Sequence, residues 1–149
     1  MSRVRGVVLA VLSALYGAMW LFAATTKVLA PLPAYEFVGR VLPPGPFAKA
    51  VIVTAIAAEG ALGAAMLLRA IGAARGFAVS SAGLAMALVA LLVVRSKADG
   101  LLPCGCYGDA FRSSIDDEIV IDAVMLALAL ALAGWELIAG RAGDVQRDT

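Results

Sequence analysis

The only two cysteines in the 149-residue chain flank one glycine in Pro103-Cys104-Gly105-Cys106-Tyr107-Gly108-Asp109. Two thiols at that spacing point to thiol–disulfide exchange. A disulfide between residues i and i+2 pulls its Cα atoms to the short end of the tolerated range, which stores strain and makes the bond easier to reduce. Strained, exposed disulfides are exchangers more often than staples. Gly105 and Gly108 give the backbone the freedom to take up both redox shapes, with Tyr107 and Asp109 as the remaining loop support. An ordinary stabilising cross-link is excluded, because so small a ring removes almost no chain entropy. Metal binding is a weak reading: there is no histidine, and two thiolates leave a four-ligand zinc set incomplete unless Asp109 and a second molecule help, so a two-coordinate soft metal such as Cu(I) is its most sensible form. No resident metal is therefore expected. The competing reading is a small-residue turn in which Cys104 and Cys106 are incidental.

The elements that must position this pair are greasy. Hydrophobic residues make up 62% of the chain and charged residues 15%, with a mean hydropathy of +0.94; soluble domains carry about 25% charged residues. The composition predicts an all-α polytopic membrane protein. Four apolar stretches, about 6–29, 47–68, 76–95 and 116–140, are each long enough to cross a hydrocarbon core of about 30 Å. Short connections between them favour an up-and-down bundle of four helices in one domain, 1–149. The first stretch has the basic start and small residues of a signal peptide. Its uncharged run, Gly6 to Thr26, is longer than the usual 7–15-residue apolar core, so it is read as a retained span. The net charge of +1 provides no footprint for nucleic acid.

Between the first two spans, Pro31, Pro33, Pro43, Pro44 and Pro46 fence off Ala34 to Leu42. Proline restricts the backbone at both borders. The segment is expected to be a short interfacial helix, with Glu36 and Arg40 paired four residues apart and an apolar opposite face.

Three ionisable residues fall inside spans, where charge is costly and marks function by default: Lys27, Glu59 and Asp122. Counting about 1.5 Å per residue from the span ends puts Lys27 within roughly 5 Å of the membrane surface, Asp122 roughly 10 Å deep and Glu59 roughly 16–18 Å deep. Two readings stand: a polar track descending below the Cys loop, or a Lys27 that snorkels to the surface beside a Glu59 that is a neutral packing residue. Tyr16 and Trp20, one turn apart, are candidates for an aromatic pocket that could hold a flat cofactor such as a quinone.

Basic residues do not decide orientation. Six (Arg3, Arg5, Arg69, Arg75, Arg141, Arg147) lie on the side of the termini and six (Lys27, Arg40, Lys49, Arg95, Lys97, Arg112) on the other. The basic N-terminus and the tight Arg69/Arg75 turn point to a cytoplasmic side, and a working disulfide belongs in an oxidising compartment. The expectation is an inner-membrane protein with termini in and the Cys loop outside.

Three motifs carry a resemblance: Phe22-Ala23-Ala24-Thr25-Thr26-Lys27-Val28-Leu29, Ala58-Glu59-Gly60-Ala61-Leu62-Gly63 and Cys104-Gly105-Cys106-Tyr107-Gly108. Together they resemble the methylamine utilisation protein MauE family, within the DoxX-like membrane proteins. Tyr107 stands where such proteins often have Phe. The resemblance implies a four-helix membrane protein that supports maturation of disulfide-rich periplasmic proteins, originally methylamine dehydrogenase, beside a thioredoxin-like partner. The expected activity is thiol–disulfide redox exchange by Cys104 and Cys106, with a disulfide-containing client and a quinone as candidate electron acceptor. The rivals are a non-enzymatic membrane scaffold and, more remotely, transport through Glu59 and Asp122.

Overall fold

The computed structural model describes residues 2–97 and 114–145. Its five helices are α1 (Ser2–Leu29), α2 (Pro31–Gly39), α3 (Pro46–Leu67), α4 (Ala73–Lys97) and α5 (Ile115–Val145). Four of them contain apolar spans: Val4–Leu29, Pro46–Leu67, Ala73–Lys97 and Ile115–Ile138. The protein is a polytopic four-span membrane protein.

The helices pack as two close pairs, α1 with α3 and α4 with α5, joined more lightly through α4. Apolar burial cannot drive helix pairing in lipid, so close backbone approach and hydrogen bonds must do so. Both devices are present. At the α1–α3 crossing a Cβ on Gly17 would lie 2.9 Å from the Gly63 carbonyl oxygen, and a Cβ on Gly63 2.7 Å from that of Gly17. The two pairs are joined by Tyr16, whose Oη donates to the Met125 carbonyl at 2.7 Å, and by Trp20, whose Nε1 donates to Ser80 Oγ at 3.0 Å. Ser80 Oγ in turn donates to Met66 Sδ at 3.4 Å. Phe77 meets the Tyr16 ring edge-on, centroids 5.5 Å apart, inside a core that also holds Leu84, Ala129 and Leu132.

The prolines before α2 do not delay the helix to Ala34. Pro31 sits in its first turn, where a missing N–H is no loss, so the helix runs from Pro31 to Gly39. The expected Glu36–Arg40 ion pair does not form: the helix stops at Gly39 and Arg40 is its C-cap. An exposed pair of this kind contributes only a few tenths of a kcal/mol, about 0.2–0.5, too little to prolong the helix. Phe37 of α2 instead packs on a second cluster, Leu91 and Val94 of α4 with Ile115 and Ile119 of α5.

That cluster marks the end of the bundle from which the chain leaves the described residues at Lys97 and to which it returns at Ser114. Both helix ends there are built for their charge. Arg95 and Lys97 occupy the last turn of α4 and Asp116, Asp117 and Glu118 the first turn of α5, each complementing the helix dipole. Arg95 Nε donates to Asp116 Oδ1 at 2.7 Å. Ser114 and Asp117 cap reciprocally: the Asp117 amide donates to Ser114 Oγ, and the Ser114 amide and hydroxyl donate to Asp117 Oδ2.

Candidate functional site

Cys104 and Cys106 lie outside the described residues, as do Gly105, Tyr107, Gly108 and Asp109. What the structure does show is the bundle end that their segment joins, and the ionisable residues gathered there.

Lys27 Nζ donates to both carboxylate oxygens of Glu59, each at 2.9 Å, and reaches back to the Ala23 carbonyl at 3.4 Å. The two side chains keep only 13% and 17% of their exposure. Counting from span ends had separated them in depth, and the helix offset corrects this. Gly17 lies against Gly63 and Ala24 near Gly60, so Glu59 falls level with Lys27. α3 begins at Pro46 and overhangs the end of α1 at Leu29, and α2 packs on both helices there. Lys27 is thus held at the level of Glu59 by a partner, where the count had placed it near the membrane surface.

Asp122 is 6% exposed and has no hydrogen-bond partner among the described residues. The Lys27 charge reaches it across the α1–α5 contact, and so does the Glu118 charge one turn earlier on α5. Glu118 is 1% exposed. Glu59 bonds the Lys27 ammonium directly, and Asp122 lies within electrostatic range of both Lys27 and Glu118. Lys27 and Glu59 meet at one level, where the count sets them at different depths.

Glu118 was missed in the sequence because it follows Asp116 and Asp117 and reads as part of a solvated acidic cap. The signal was its spacing. Residue 118 stands four before Asp122 and must share its helix face, while Asp116 and Asp117 point elsewhere and stay exposed.

Tyr16 and Trp20 are 2% and 8% exposed, and both polar atoms are bonded within the bundle. The ring of Trp20 fills the space over Gly83, approaching an added Cβ there to 3.0 Å. Their surroundings are packed core.

The family model described as Methylamine utilisation protein MauE matches residues 5–135. The chain belongs to the MauE family. The match runs from near the start of α1 through three spans and most of the fourth, and includes Lys27, Glu59, Cys104, Cys106, Glu118 and Asp122. No curated protein and no solved structure matches this MauE-family chain.

Proposed function

We propose that this MauE-family protein is a membrane thiol–disulfide redox protein that supports oxidative maturation of extracytoplasmic proteins through a thioredoxin-like partner. The observation that carries the reading is the Cys104-Gly105-Cys106 pair, the chain's only cysteines, within the sixteen residues that join Lys97 to Ser114. In the oxidising direction, a thiolate of the reduced partner attacks one sulfur of a Cys104–Cys106 disulfide and displaces the other as a thiolate. The partner's second thiolate then attacks the mixed disulfide. The partner leaves as a disulfide, ready to oxidise its client, and Cys104 and Cys106 end as a dithiol holding two more electrons and two protons. A membrane quinone is the acceptor class that would return the pair to the disulfide.

The pair belongs on the outer face of the cytoplasmic membrane, with both termini inside, because a working disulfide needs an oxidising compartment. The charge cluster supports the same reading. Dithiol–disulfide cycling releases and takes up protons, and Asp122 and Glu118 provide buried carboxyl groups at that end of the bundle.

Single Cys104→Ser and Cys106→Ser variants test the exchange. One of them is expected to trap a mixed disulfide with the partner on non-reducing gels, and the double variant is expected to trap none and to leave the client unoxidised. Full client maturation in the double variant would sink the reading in favour of a scaffold with incidental cysteines.

A further inference from the structure

The far end of the bundle holds a feature that the cysteine chemistry does not use. α1 packs on α3 and α5 packs on α4, which leaves α1 and α5 apart toward the termini. Between them runs a groove of about 730 Å³ whose walls include Val8, Leu9 and Leu12 of α1 and Leu132 and Trp135 of α5. That volume is in the range of small-ligand sites, about 300–1,000 Å³. Arg5 also lines it, and Arg5 Nη2 donates to Glu136 Oε1 at 2.7 Å. This is the sole hydrogen bond of Arg5 among the described residues. A guanidinium has five N–H donors, so most of them remain available. The Arg5 side chain is the more open of the two, at 37% exposure against 20% for Glu136.

A quinone serving the cysteines does not fit here. Twenty-two residues of helix separate Arg5 from Lys27, roughly 33 Å at 1.5 Å per residue. Reaction between a sulfur and a ring requires approach to about 3–3.5 Å. The groove is at the wrong end.

We propose that the α1–α5 groove holds one phospholipid with an anionic headgroup, its acyl chain along Val8, Leu12 and Leu132 and its phosphate on the open donors of Arg5. Basic pockets between spanning helices recognise such headgroups. A guanidinium matches phosphate oxygens as a fork. Trp135 lines the groove with an amphipathic ring of the kind that settles at headgroup level. Arg69 and Arg75 add positive charge at the same end of the bundle. Glu136 opposes the phosphate and competes for Arg5, which makes the two members of this ion pair unequal. A purely structural bridge would suffer from loss of either one.

Native mass spectrometry of the full chain, released from bilayers with equal mole fractions of phosphatidylglycerol and phosphatidylcholine of identical acyl chains, tests this. The wild type is expected to retain phosphatidylglycerol about fivefold over phosphatidylcholine. Arg5→Gln is expected to abolish the preference and Glu136→Gln to increase it. Val8→Trp, which fills the groove, is expected to lower retention of both lipids. Equal retention in the wild type would overturn the proposal, as would parallel losses in Arg5→Gln and Glu136→Gln or displacement of the lipid by inorganic phosphate. A second copy of the chain occupying the groove, seen as a lipid-free dimer lost in Val8→Trp, would overturn it as well.

Discussion

Lys27 and Glu59 make the clearest residue-level case, because each holds the other's charge inside a span. Breaking a buried pair by removing one partner costs about 3–5 kcal/mol, while replacing both partners is often close to neutral. Lys27→Met is therefore expected to destabilise the protein strongly in detergent unfolding, and Lys27→Met with Glu59→Leu to recover most of that loss. If the double variant is stable yet inactive in client maturation, the pair works in the chemistry as well as the fold. If it is stable and active, the pair is structural only. Both residues were visible in the sequence as charges inside apolar runs, but their pairing was not. The offset of α3 past α1 depends on which small residues meet, and hydropathy does not report that. Glu118 was hidden by its acidic neighbours. Cys104 and Cys106 were the most legible residues of all, since two thiols in an otherwise cysteine-free chain need no fold to be noticed.

At the scale of elements, the α1–α3 crossing depends on glycine where backbones touch. A Cβ on Gly63 would meet the Gly17 carbonyl and the Leu21 amide at 2.7 and 2.8 Å, while one on Gly60 would meet only the Ala24 side chain at 3.9 Å. Gly63→Ala is expected to cost about 1–3 kcal/mol as the helices are forced apart, and Gly60→Ala to be nearly silent. Denaturant unfolding of the two variants compares them directly. The turn from α3 to α4 carries a second local strain. Arg69 adopts φ 54, the left-handed conformation that ends helices and suits glycine. Arg69→Gly is expected to raise stability by roughly 1 kcal/mol, read as a higher unfolding midpoint. The number of spans and their approximate limits were legible, because about 20 apolar residues in a row have few other uses. The prolines announced a separate helix after α1, although its start at Pro31 shows that they served as its first turn and not as its fence. Which spans pair most closely was not legible. Four uniformly apolar helices differ too little in hydropathy to choose neighbours, and the choice rests on glycines and on single polar contacts such as Trp20 to Ser80.

At the scale of the whole molecule, this MauE-family chain has two chemically distinct bundle ends. One end carries α2, the Lys27–Glu59–Glu118–Asp122 cluster and the attachment points of the Cys104–Cys106 segment. The other carries the start of α1, the end of α5, the Arg69/Arg75 turn and the groove at Arg5. The proposed redox exchange at the first end and the proposed lipid contact at the second draw on different residues, so losing one is expected to leave the other intact. Arg5→Gln is accordingly expected to leave client oxidation unchanged while altering lipid retention. The most direct measurement of the central claim is alkylation of Cys104 and Cys106 in intact cells by a thiol reagent that does not cross the membrane, before and after treatment with a reductant. The expected result is thiols that resist the reagent as a disulfide in untreated cells and react from outside once reduced. Thiols that are already free in untreated cells, or that never react from outside after reduction, would contradict it.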